Sequence, residues 1–248
     1  MKDHQDAFGH ALLDYLRGRG SLVDFAERED GYIDVSGSRN AYLANYESWP
    51  SHHKRAMEYV KGRVLDIGCG AGRHALHLQH EGFFVQAVDV SPLAIRVCKL
   101  RGIKRARVMS INAVASKLGV FDTVLMLGAN FGLFESCKKA RWLLRRLHHS
   151  TAQNARIIAE SRDPYRTTEP FHLEYHRFNR RRGRMAGQVR IRIRYRKYAT
   201  GWFDYLFVSR DEMRKILEGT GWKVNRFLSS KGPMYIAVIQ KQARASDA

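Results

Sequence analysis

Nine consecutive residues, Val64 to Gly72 (Val-Leu-Asp-Ile-Gly-Cys-Gly-Ala-Gly), constrain this chain more than any other stretch. A short apolar run closed by alternating glycines predicts a strand that turns sharply into a helix. Glycine permits positive φ and lets a ligand approach the main chain closely. The helix that follows presents free N–H groups at its start. In dinucleotide enzymes those groups hold a pyrophosphate, with the spacing G-x-G-x-x-G. Here the spacing is G-x-G-x-G, and Arg73 takes the place of the third dinucleotide glycine. Asp66 stands just before the loop, where a carboxylate suits a cationic amino group better than a pyrophosphate. A second apolar stretch ends at Asp89, 17 residues after Gly72. An acid at that place accepts hydrogen bonds from both ribose hydroxyls.

The rest of the pattern agrees with an α/β chain. Strands are predicted at 63–67, 83–88, 106–109, 121–127 and 155–159. Helices at 73–80, 92–100 and 136–149 alternate with them, which implies a parallel sheet with crossovers. Residues 4–17 read as a helix, with Phe8, Leu12, Leu13 and Leu16 on one face. Residues 39–60 also read as helical, interrupted at Trp49-Pro50. Residues 162–186 are polar and rich in arginine. Residues 187–198 alternate between Val189, Ile191, Ile193, Tyr195 and Arg190, Arg192, Arg194, Arg196, the period of a half-exposed strand. Residues 202–208 return from a turn at Gly201. Ser209 and Glu212 form a capping box for a helix at 209–218, and strands at 223–228 and 234–240 close the sequence.

The stretch Val64 to Leu78, together with Val88-Asp89-Val90-Ser91-Pro92, resembles motif I and the acidic motif of class I S-adenosylmethionine-dependent methyltransferases. The resemblance implies a Rossmann-like, seven-stranded, mostly parallel sheet with helices on both faces. It covers roughly residues 55–160 and the terminal strands. It implies one domain over residues 1–248: an N-terminal helical lid (1–60), a cofactor-binding core (61–161), an Arg-rich, β-rich insertion after the fifth strand (162–208), and a C-terminal helix with two strands (209–248). It also implies that Asp66, Gly68, Cys69, Gly70 and Gly72 surround the methionine part of S-adenosyl-L-methionine. Asp89 would then hold the ribose, Val90 and Asn112 the adenine, and Leu127 would lie under the sulfonium.

Methyl transfer is a displacement at a sulfonium-activated carbon, in which the protein aligns the nucleophile and excludes water. The acceptor side is expected at Tyr42, Tyr46, Asn130, Phe131, Arg192 and Arg194. Tyr42 and Tyr46 are four residues apart and would share a helix face. Tyr46, Asn130, Glu160 and His176 are the candidate catalytic groups, with His52, His53 and His172 as further candidate bases. Arg39 is a candidate partner for the cofactor carboxylate. His172 and His176 are also spaced four apart, but no third ligand accompanies them, so no metal is expected.

The net charge of +19 attracts anions and polyanions. Residues 175–203 hold ten Lys or Arg and no acid. Arginine forks bind carboxylate and phosphate bidentately, so this stretch fits an anionic-substrate pocket, a nucleic-acid strip, or a charged edge that blocks aggregation. No Asn/Asp-Pro-Pro-aromatic tetrad follows the fourth strand, and no Pro-Cys or Thr-Cys stands where a pyrimidine would be attacked. The expectation is therefore methyl transfer to an O or N atom of a small, anionic molecule. An RNA methyltransferase and a non-catalytic cofactor-binding partner module are the alternatives. No run is long enough to span a membrane. Three cysteines without a CxxC pair fit a reducing cytoplasm, and a monomer or homodimer is expected.

Overall fold

The computed structural model describes residues 1–19, 24–36 and 41–242. The chain begins with helix α1 (Ala7–Leu16), strands β1 (Asp24–Arg28) and β2 (Ile33–Ser36), and helix α2 (Ser51–Met57). Alternating elements follow: β3 (Val64–Ile67), α3 (Arg73–His80), β4 (Val85–Asp89), α4 (Pro92–Leu100), β5 (Ala106–Val108), α5 (Ile111–Lys117), β6 (Phe121–Met126), α6 (Cys137–Ser150) and β7 (Thr151–Arg162). Then come α7 (Pro170–Arg181), β8 (Gln188–Tyr195), β9 (Tyr198–Ala199), β10 (Phe203–Leu206), α8 (Arg210–Leu217), β11 (Trp222–Ser229) and β12 (Met234–Lys241). One sheet has seven strands in the order β11-β12-β7-β6-β3-β4-β5. It is mostly parallel, and β12 inserts antiparallel between β7 and β11. The order β10-β8-β1-β2, with β9 paired to β8, makes a second sheet. The seven-stranded α/β sheet is the one expected from the sequence.

The chain divides into two compact units. The first comprises Met1–Trp49, Leu65–Ile111 and Arg190–Phe203. Here α1 packs on α4 through Ala7, Ala11, Leu12, Ala94 and Val97, all buried. Small residues let the two helices come close: a Cβ on Gly9 would stand 2.6 Å from the Leu93 Cβ. Asp6 caps α1 by accepting from the Gly9 amide at 3.1 Å. The same carboxylate accepts from the Ser91 hydroxyl at 2.6 Å and the Leu93 amide at 3.0 Å, at the start of α4. In the second sheet β1 runs antiparallel to β8, with Glu27 opposite Arg192.

The second unit comprises Pro50–Val64, Asn112–Val189 and Asp204–Ala248. Its spine is the twelve-residue β7, parallel to β6 and antiparallel to β12, with Glu160 opposite Ile236. The capping box of α8 forms as expected: Ser209 accepts from the Glu212 amide, and Glu212 accepts from the Ser209 amide.

Three local expectations need correction. Residues 1–60 are not a purely helical segment, because β1 and β2 lie within them. Of these two short strands, β1 pairs with β8 and β2 pairs with β1. Residues 39–60 are not one interrupted helix: Tyr46–Ser48 is a single 3-10 turn and only α2 is α-helical. Tyr42 and Tyr46 therefore do not share a helix face. The polar stretch after Glu160 contains α7, started by Pro170 in its first turn. Buried Asn179 fastens this helix by donating to the carbonyls of Ala186 (3.1 Å) and Gln188 (2.8 Å).

Candidate functional site

In the first unit the glycine loop is a closed turn. The amides of Gly68 and Cys69 both donate to the Val88 carbonyl, at 2.9 and 3.1 Å, and Gly72 donates to the Cys69 carbonyl at 2.8 Å. Gly72 caps α3 in the left-handed region at φ 72°. A Cβ there would stand 2.1 Å from the Ile103 Cδ1 and 3.0 Å from the Cys98 Sγ. The φ demands glycine, and a Cβ would also displace the Ile103 methyl. Gly72→Ala is therefore expected to destabilise the protein by about 1–3 kcal/mol. Urea unfolding checks this, and an unchanged midpoint would contradict the packing just described.

Two carboxylates frame the loop. Asp89 accepts from the Gly70 amide through Oδ2 and from the Ser91 amide through Oδ1, both at 2.9 Å. Asp66 is buried, and its Oδ2 has no hydrogen-bond partner among the described residues. Burial, with a smaller contribution from the Asp89 charge, pushes the Asp66 carboxyl up to about 7, against the opposing pull of Arg73. Burial also raises Asp89, although the amides of Ser91 and Gly70 work against it. Val90, next along, is 46% exposed. The Arg73 guanidinium donates to the Ala41 carbonyl at 2.6 Å. Arg101 donates to Ala71 at 2.5 Å, tying α4 to the loop. The Cys69 and Cys98 sulfurs are 3.8 Å apart, and both thiols are free.

The second unit assembles a cluster that the sequence reading named only piecemeal. Glu160 Oε1 lies 3.0 Å from both His52 Nε2 and His53 Nε2. Glu160 Oε2 accepts from the amides of Gly128 (2.6 Å) and Ala129 (3.0 Å), just after β6. All three side chains are buried. Burial alone would raise the Glu160 carboxyl; the two imidazoles and the Ala129 amide outweigh it and hold the group well below the usual carboxylate range. Glu160 therefore stays ionised and fixes both histidines and the loop.

That loop is held rigidly. Asn130–Phe134 form a 3-10 turn, flanked by Ala129 and Glu135, each at φ 64°. Left-handed backbone at non-glycine residues costs energy and persists only where the surroundings impose it. The Tyr205 hydroxyl lies 3.0 Å from the Ala129 carbonyl and 3.3 Å from Asn130 Oδ1. Tyr205 was not singled out from the sequence, because nothing local links it to a loop 75 residues earlier.

The other expected site residues are distributed as follows. Leu127 is buried after β6, and Asn112 is exposed in the first turn of α5. Phe131 is fully buried, edge-on to Phe134. Tyr42 meets Phe8 edge-on, and Tyr46 stacks on His77 at 4.4 Å. His176 is buried on α7 beside Tyr165, with His172 one turn earlier. Arg39 lies outside the described residues. Arg192 grips the Glu27 carboxylate with two bonds of 2.9 Å, and Arg194 adds a third at 3.1 Å. Arg196 pairs with Asp14 at 3.1 Å. Arg192 and Arg194 of β8, and Arg196 just after it, thus answer acids of their own chain.

Residues 64–154 match the family model of a methyltransferase domain. A ubiquinone biosynthesis O-methyltransferase from Xanthomonas oryzae pv. oryzae is 27% identical over 112 residues, covering 43% of this chain and 47% of that protein. The chain spans about half the length of the curated relatives it matches. Among solved structures, a SAM-dependent methyltransferase from Bacteroides fragilis, in complex with S-adenosyl-L-homocysteine, aligns over 98% of this chain and 97% of that one. Its TM-score is 0.82 and its identity 23%. The CcbJ methyltransferase from Streptomyces caelestis covers 80% of this chain and 95% of its own, with a TM-score of 0.58 and 11% identity. The fold is that of the class I S-adenosylmethionine-dependent methyltransferases. The match of residues 64–154 to a methyltransferase domain agrees with that fold. Among the described residues, no helix is long and apolar enough to cross a membrane.

Proposed function

We propose that the protein transfers a methyl group from S-adenosyl-L-methionine to an oxygen of a small, anionic molecule. The observation that carries the donor half is the buried, unpartnered Asp66 Oδ2 beside the glycine loop. An ammonium group supplies the missing partner, and the methionine end of the cofactor has one. Asp89, at the end of β4, offers its carboxylate to the ribose hydroxyls, and the exposed Val90 offers an apolar surface to adenine. Bound S-adenosyl-L-methionine supplies the activated methyl; the chain binds, orients and excludes water.

Oxygen as the acceptor is supported by the likeness to ubiquinone biosynthesis O-methyltransferases. A small acceptor is supported by Arg192 and Arg194 of β8 and Arg196 just after it, because Glu27 and Asp14 occupy three side chains that would otherwise grip a phosphate backbone. The remaining positive charge draws an anionic molecule by long-range attraction.

Calorimetry with S-adenosyl-L-homocysteine tests the donor half. Asp89→Ala is expected to weaken binding roughly 100-fold, the worth of one or two charged hydrogen bonds. Undiminished binding by this variant would contradict the assignment. The acceptor half is tested by supplying labelled cofactor and a cell extract, then separating small molecules, protein and RNA. Label in the RNA fraction, with a steep salt dependence, would replace the small-molecule reading.

A further inference from the structure

We infer that His52, His53 and Glu160 form a binding site for a divalent metal ion of the zinc class, with one coordination position left for an oxygen ligand. The two imidazole Nε2 atoms and one carboxylate oxygen lie within 4.8 Å of one another. Each Nε2 is 3.0 Å from Glu160 Oε1. Ligand atoms around a four-coordinate zinc, with bonds of about 2.0–2.2 Å, stand roughly 3.3 Å apart. The two histidine–carboxylate distances are therefore close to the spacing an ion requires, and ring rotation brings the two Nε2 atoms, which lie within 4.8 Å of each other, into the same shell.

The carboxylate is already oriented for this role. Its Oε2 is taken by the amides of Gly128 and Ala129, so Oε1 is the oxygen that faces the histidines. Hydrogen bonds to the non-ligating oxygen are the outer support that metal-binding carboxylates commonly have. The left-handed Ala129 and the Tyr205 hydroxyl keep those amides in place. With an ion bound, each ring gives its Nε2 lone pair and carries its proton on Nδ1.

Donor chemistry selects the metal. Two imidazoles and one carboxylate suit zinc and its first-row neighbours, whereas magnesium and calcium prefer oxygen-only shells. Three protein ligands leave a fourth position open, as in catalytic zinc sites. A hydroxyl or water bound there loses its proton more readily.

The test uses the full chain, stripped with a chelator and then titrated with zinc against a chromophoric competitor. One equivalent is expected to bind, and His52→Ala and His53→Ala are each expected to weaken it at least 100-fold. Cobalt in the same site is expected to show d–d absorption without a thiolate charge-transfer band. S-adenosyl-L-homocysteine calorimetry on the same samples reports whether each variant is folded. Failure of the wild type to bind zinc, equal binding by the variants, or a thiolate band would overturn the metal site. Failure of the wild type to bind S-adenosyl-L-homocysteine would overturn the methyltransferase reading and leave the zinc result standing.

Discussion

Glu160→Ala is expected to lower the melting temperature of the metal-free protein by roughly 6–20 °C. The substitution leaves two buried imidazole N–H groups without their acceptor and frees the amides of Gly128 and Ala129. Removing one partner from a buried charged cluster costs about 3–5 kcal/mol. A chain of this size loses about 2–4 °C for each kcal/mol. The cost is a large share of a typical stability of about 5–15 kcal/mol. Adding His53→Ala to Glu160→Ala is expected to cost less than the sum of the two, because one stranded donor disappears with the second change. A melting temperature within about 2 °C of wild type would mean that the carboxylate does not organise this region.

Asp66→Asn is expected to move stability and cofactor affinity in opposite directions. With a folded value near 7 against an ordinary 3.8, the Asp66 carboxyl holds its proton more tightly folded than unfolded. Stability therefore falls as pH rises from about 4 to 7, and the full penalty, on the order of a few kcal/mol, applies above that. Asparagine removes the penalty, so the variant is expected to melt higher than wild type at pH 8. The groups setting this titration are Asp89, which raises it, and Arg73, which lowers it. An incoming ammonium favours the carboxylate, so the wild type is expected to release about half a proton per S-adenosyl-L-homocysteine bound at pH 7. Its affinity should fall about tenfold per pH unit below 7. Calorimetry in buffers of different ionisation enthalpy reads the proton directly. The asparagine variant should bind weakly and release none. Identical heats in all buffers for the wild type would show that Asp66 is not the group that meets the ligand.

The parts of this architecture that could be read from the sequence are those whose signals are local. Val64–Ile67 and the glycines after it announce their strand and turn within nine residues, and Asp89 follows at the end of the next apolar run. Ser209 and Glu212 announce α8 in the same way. β1 was not legible, because Asp-Phe-Ala-Glu-Arg carries little β-propensity. Its pairing with β8 joins residues more than 160 positions apart, such as Glu27 and Arg192. The arginines of β8 were visible as a row, but the acid that satisfies two of them was not. His52, His53 and Glu160 were each named as candidates. Their convergence on one oxygen, across 107 and 108 positions of sequence, is a property of the fold alone.

The Asp6 carboxylate, which caps α1 and also holds the start of α4, bears on the order of events during synthesis. Its two partners on that side, Ser91 and Leu93, lie 85 and 87 residues downstream. At about 5–20 residues per second, a ribosome needs roughly 4–17 s to make them. Throughout that interval α1 lacks the α4 residues Ala94 and Val97 that cover Leu12 and its neighbours, and a ten-residue helix is marginal in water by itself. α1 is therefore made well before the α4 surface it packs on, and its apolar face stays uncovered by α4 in the interval. A chaperone that recognises such segments would meet the nascent chain at α1, and termination near residue 90 would leave α1 without α4 to pack on.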